Sequence, residues 1–203
     1  MNIFKVLLVL LAIVTTGALT GMTSDETVPP DQMVKTVSSE VLEIVKNDKD
    51  IQSGDTKKVT ALAQEKVLPH FDFERMSRNA LGKPWATATP EQQQAFVQEF
   101  RQLTTRTYSS ALTKYRNQTI KYMPYTPQPN ATEAKVKTLI LQPGGQSIPV
   151  EYLLEKESDQ WKVFDVVIDG LSLTAAHRGE YAAEVQQNGM DGLIKKLAAM
   201  NNK

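Results

Sequence analysis

The hydrophobic period divides the chain into helices, a block of strands, and helices again. From Asp31 to Lys46 the apolar positions are Val34, Val37, Val41, Leu42, Ile44 and Val45, which lie on one face at helical period. A second helix is predicted from Asp55 to Leu68, preceded by the Gly54 turn and stopped by Pro69. Phe71-Asp72-Phe73 opens a short helix, with Asp72 as its cap, that ends near Leu81-Gly82. Thr89-Pro90-Glu91-Gln92 is the clearest start signal. Thr caps, Pro takes the first helical position, where its missing N–H costs nothing, and Gln92 can reach back to the cap. The long helix behind it sets Phe96, Phe100, Leu103, Thr107 or Tyr108, and Leu112 along one stripe.

Near Asn117 the period shortens to two. Strands are predicted over Gln118 to Met123, Thr132 to Leu141, Gln146 to Lys156 and Trp161 to Ile168. Pro143-Gly144-Gly145 and Ser158-Asp159-Gln160 are the turns, and turns this short imply an antiparallel meander. Side chains alternate across a strand, so Ile148, Val150, Tyr152 and Leu154 share one face, opposite Pro149, Glu151, Leu153 and Glu155. On the last strand the same rule groups Lys162, Phe164, Val166 and Ile168 against Trp161, Val163, Asp165 and Val167. Ser172 is expected to cap a helix running to about Gln187. Asn188-Gly189 breaks the pattern, and Asp191 caps a last helix through Leu193, Ile194 and Leu197. The fold class is α+β, with helices packed on one face of a curved, mostly antiparallel four-stranded sheet. A filled core and a core with a cavity need the same periodicity, so the pattern leaves both open.

The N-terminus changes the picture. A short start bearing Lys5 precedes the unbroken apolar run Val6 to Val14, and Ala18-Leu19-Thr20 offers an exit of small residues. This is the layout of a secretory signal peptide over residues 1–20. A membrane span needs about 20 apolar residues, and this run falls short. Residues 21–30 are then a flexible lead-in and 31–203 one domain. The chain has no cysteine, which excludes disulfides, thiolate metal sites and a lipid-modified N-terminal Cys. Its 23 basic and 23 acidic residues cancel, against the basic surface that nucleic-acid binding requires.

Catalytic motifs are sparse. Gly170-Leu171-Ser172-Leu173 lacks the second glycine of a nucleophile elbow, and no HExxH, P-loop or GxGxxG occurs. Asp48-Lys49-Asp50 with Gly54 and Asp55 misses the EF-hand spacing. His70 and His177 are the two available bases, so an exported hydrolase or isomerase on a cone-shaped α+β fold is the alternative to a binding protein.

Two stretches resemble the MlaC family, also called toluene-tolerance auxiliary proteins. The first contains Phe71, Asp72, Phe73, Met76, Ser77, Leu81, Gly82, Trp85, Phe96, Phe100, Leu103, Tyr108 and Leu112. The second contains Trp161, Asp165, Gly170, Ser172, Arg178, Gly189 and Leu193 to Leu197. The resemblance runs from about Asp31 to the C-terminus, with the middle strands matching by pattern only. It implies a periplasmic, non-enzymatic phospholipid carrier with no cofactor and no metal, whose cargo sits in an apolar cavity between sheet and helices. The implied partners are the MlaD ring of an inner-membrane ABC transporter and an MlaA–porin complex of the outer membrane, and the system maintains outer-membrane lipid asymmetry. The carrier itself is expected to be a monomer. Alternation together with the family layout selects Val136, Ile140, Ile148, Val150, Tyr152 and Leu154 on the sheet as acyl contacts. From the helices it selects Phe73, Met76, Leu81, Phe96, Phe100, Leu103, Tyr108 and Leu112. Tyr108 and Tyr152 are expected at the mouth, and Arg75, Arg101 or Arg178 near a phosphate.

Overall fold

The structure, a computed structural model, describes residues 28–115 and 117–202. The expected leader lies outside the described residues. Helix α1 (Pro30–Asn47) buries Met33, Val34, Val41 and Val45. A short helix that the pattern did not predict precedes the second predicted one. Helix α2 (Lys49–Ser53) is capped by the Asp48 carboxylate and closed by Gly54 at φ 106°, and α3 (Thr56–Lys66) is capped by Asp55. Two aspartate caps flanking a left-handed glycine make two starts in one short stretch. Helix α4 (Phe73–Leu81) begins with Asp72 accepting the Arg75 N–H. Helix α5 (Pro90–Ser109) carries the full Thr89/Gln92 capping box. The last segment, α6 (Arg178–Asn201), is broken where expected, with Gly189 outside the helical region at φ 71° and ψ 175° between its two helical halves.

The sheet has five antiparallel strands in the order β1-β2-β3-β4-β5: Thr119–Tyr122, Glu133–Leu141, Ile148–Glu157, Gln160–Ile168 and Leu171–Ser172. Two expectations are corrected here. The first is the strand count. Ser172 belongs to a short fifth strand instead of capping a helix. Its hydroxyl donates to the buried Asp165 carboxylate at 2.6 Å and accepts the Ala175 N–H at 3.0 Å. Asp165 also accepts the N–H groups of Val166 and Thr174, so one buried, hydrogen-bonded side chain fixes the chain reversal after β4. The second is the alternation along β4. Leu153 pairs with Asp165 but Leu154 pairs with Val163, so Phe164 is the extra residue of a bulge. Trp161 and Val163 therefore share a face with Val166 and Ile168. Phe164 turns the other way, where the Arg75 guanidinium lies 3.6 Å from its ring centroid.

Among the described residues three hydrophobic clusters hold the fold. Val136, Val150, Leu154, Val163 and Val166 of the sheet pack with Met33 and Val34 of α1. A helical core gathers Met76, Leu81, Phe96, Phe100, Tyr181, Leu193 and Leu197. The third joins α1 to α2 and α3 through Val41, Val45, Ile51, Val59 and Leu62. Phe71 packs against the first two and forms a parallel bridge with Val163, where the Asp72 N–H donates to the Val163 carbonyl at 2.9 Å. Among the described residues no helix is long and apolar enough to cross a membrane.

Candidate functional site

One face of the sheet supplies a broad apolar floor. Val136, Thr138 and Ile140 on β2 stand opposite Tyr152, Val150 and Ile148 on β3, and β4 continues the face with Val163, Val166 and Ile168. Met33 and Val34 pack onto it, and Val136, Val150, Leu154, Val163 and Val166 are buried. Ile140, Ile148, Tyr152, Trp161 and Ile168 are only partly buried. Toward the β2–β3 turn the register lines up Ile120, Ile140 and Ile148 across three strands. Ile168 faces Leu171, which is 72% exposed. An incompletely covered apolar row at one end of an otherwise buried face is suited to holding hydrocarbon.

Few polar groups interrupt this floor. Thr138 is buried and its Oγ1 makes no hydrogen bond of normal geometry; the Tyr152 phenol on the next strand is its polar neighbour. Burial pushes the Tyr152 phenol above its ordinary range. Tyr122 Oη hydrogen-bonds Ser38 and Ser39 at 2.9 and 3.0 Å, which fastens α1 over β1.

The structure divides the expected acyl contacts between clusters. Val136, Ile140, Ile148, Val150, Tyr152 and Leu154 all lie on the apolar sheet face. Phe73, Met76, Leu81, Phe96, Phe100 and Leu103 come together in the helical core, closed by Tyr181, Leu193 and Leu197. Leu112 packs in the third cluster, and Tyr108 is 36% exposed. Trp161, Val163, Val166, Ile168, Met33 and Val34 were not among the expected contacts. The bulge hid the first two, while the apolar face of α1 was visible in the sequence but not where it would dock.

The three arginines differ. Arg75 pairs with Glu133 and Glu155 and stacks on Phe164. Arg178 donates from Nε to the Asn79 carbonyl at 3.0 Å. Among the described residues the Arg101 guanidinium has the Phe73 ring, 5.5 Å away, as its partner. Of the histidines, His177 stacks on Tyr181, while burial, aided by Lys162, holds the His70 imidazole below its ordinary pKa. No group of three or more His, Asp or Glu among the described residues could hold a metal ion.

The family model described as MlaC protein matches residues 35–199. The toluene tolerance protein ttg2D of Pseudomonas putida is 27% identical over 163 residues, covering 80% of this chain and 75% of that protein. The intermembrane phospholipid transport system binding protein MlaC of Haemophilus influenzae is 24% identical over 191 residues, covering 93% and 89%. Among solved structures, the phospholipid-binding protein of Ralstonia solanacearum in complex with a phospholipid superposes with a TM-score of 0.77 at 35% identity. That match covers 85% of this chain and 96% of the other. With the family model spanning most of its length, this chain belongs to the MlaC protein family.

Proposed function

We propose that this chain is a periplasmic phospholipid carrier that acts without catalysis, passing lipid between an outer-membrane MlaA–porin complex and the MlaD ring of an inner-membrane ABC transporter. The observation that carries the reading is the fold shared with a Ralstonia solanacearum protein holding a phospholipid. The partly covered apolar face around Ile140, Ile148 and Ile168 supports it, as the place where acyl chains lie. Each methylene exposed to water costs about 0.8 kcal/mol, so two chains with roughly 30 methylenes cost on the order of 20 kcal/mol. Unaided crossing of an aqueous compartment is correspondingly slow. An apolar slot replaces the bilayer and makes exchange nearly isoenergetic, so direction must come from the partners.

Native mass spectrometry of the purified protein tests this, and a bound mass matching a phospholipid is expected. Ile148→Arg should keep the native circular-dichroism spectrum and lose most of the bound lipid. Exchange of His70 and His177 for Asn should leave lipid occupancy unchanged. Protein that never carries extractable lipid, even after incubation with phospholipid vesicles, would refute the reading.

A further inference from the structure

A groove of about 820 Å³ runs between α3 and α5. That is within the roughly 300–1,000 Å³ of ordinary small-molecule sites. Helical spacing places Lys57 and Gln64 on its α3 wall, and Gln98, Arg101 and Gln102 on its α5 wall. None of these five side chains hydrogen-bonds or ion-pairs with another group among the described residues, apart from the Arg101 contact with the Phe73 ring. Arg106, the third cation of the lining, is spent on the Met200 and Asn201 carbonyls at the end of α6. The lining contains no carboxylate. The smaller groove beside α4 is the opposite case, because there Arg75 and Arg78 are matched by Asp72, Glu74, Glu155 and Glu157.

Two unpaired cations and three free amides facing one cleft make a site for an anion that also offers oxygen acceptors, as a phosphate ester does. Leu68 in the same lining belongs to the helical core. Arg101 lies against Phe73, whose ring is 6.0 Å from that of Phe71, and Phe71 packs against the sheet cluster, so contiguous apolar side chains link the groove to the sheet. We propose that the α3–α5 groove holds the phosphate ester of the cargo, clasped by Lys57 and Arg101, while the acyl chains extend past Phe73 and Phe71 toward the sheet. This deepens the carrier reading and rests on it. A free phosphate shares the same chemistry and is distinguished below.

Delipidated protein is incubated with phosphatidylglycerol vesicles or with a dispersion of diacylglycerol bearing the same chains, and occupancy is read by native mass spectrometry. Wild type should prefer the phosphorylated lipid. Lys57→Gln combined with Arg101→Gln should reduce that preference by about tenfold, with thermal midpoint and diacylglycerol uptake unchanged. Because the chain has no cysteine, Gln102→Cys or Gln146→Cys takes a single nitroxide. The label at position 102 should broaden the phosphorus resonance of bound lipid far more than the label at position 146, in the β2–β3 turn. An unchanged preference in the double variant, or stronger broadening from position 146, overturns the assignment while leaving the carrier reading intact. Failure of wild type to take up either lipid overturns the carrier reading itself. If lipid-loaded wild type binds inorganic phosphate and the double variant does not, the groove serves a free anion and the headgroup assignment falls.

Discussion

At the scale of single residues, the polar atoms that fit poorly are the informative ones. Thr138 Oγ1 is buried among apolar neighbours without a proper hydrogen bond. An unmet buried hydroxyl costs about 1–3 kcal/mol, so Thr138→Val, which keeps the shape, should raise stability by about 1 kcal/mol in urea denaturation. A loss of stability would mean that the Tyr152 phenol partners this hydroxyl in solution. His70 gives a pH prediction. Burial depresses its pKa in the folded chain below the value of 6.5 it has when unfolded. The unfolded state therefore binds the proton more readily, and stability falls as pH drops through 6.5 toward the folded value. The thermal midpoint of wild type should fall more steeply than that of His70→Asn as the pH is lowered across that window. The sequence showed His70 beside Pro69 but not the Lys162 ammonium, which donates to the Pro69 carbonyl at 2.7 Å.

At the scale of elements, local chemistry written in the sequence mostly governs the outcome. The Thr89/Gln92 box, the Asp72 cap and the Gly54 turn all appear where the residues demand them. The break expected in α6 is present as well, because Gly189 leaves the helical region and separates the two halves. Gly189 sits at φ 71° and ψ 175°, and the bend lays the Asn188 Cβ 2.5 Å from where a Cβ on Gly192 would stand. In an ordinary helix Gly→Ala gains stability from the better propensity. Here Gly192→Ala should cost 1 kcal/mol or more, about the scale of an overpacked site. Adding Asn188→Gly should restore part of the loss, since the clash is with a Cβ. Chemical denaturation of the single and double variants measures this. The β4 bulge was invisible to alternation because a single extra residue inverts the face of everything beyond it. What fixes it is tertiary: Arg75 of α4 covers the Phe164 ring and pairs with carboxylates on β2 and β3.

For the whole molecule, the division into a helical core and a sheet core separates stability from binding. Phe100 is 1% exposed among Phe96, Tyr181 and their neighbours, so Phe100→Ala should cost about 3–5 kcal/mol. Where that variant still folds, its lipid occupancy should be near that of wild type. Ile168→Ala, at a partly buried position of the sheet face, should cost about 2 kcal/mol, the low end for removing an aliphatic side chain, yet lower lipid uptake. Thermal midpoints and native mass spectra of the two proteins separate the effects. If Phe100→Ala empties the protein of lipid and Ile168→Ala does not, the acyl chains lie in the helical core and the assignment reverses.

The class of fold, most of the element order, the starts of α3, α4 and α5 and the apolar faces of α1, β2 and β3 are present in the sequence, because they depend on neighbours a few residues apart. Hydrogen bonding, capping and side-chain alternation are short-range effects. The tertiary structure alone decided that Phe73 and Phe100 join one core while Val150 and Ile148 join another, that Phe164 leaves its face, and that Lys57 and Arg101 line one cleft. Those pairings follow from how amphipathic surfaces choose among several apolar partners of similar composition. That choice is made by shape and by long-range charge pairs such as Arg75 with Glu155.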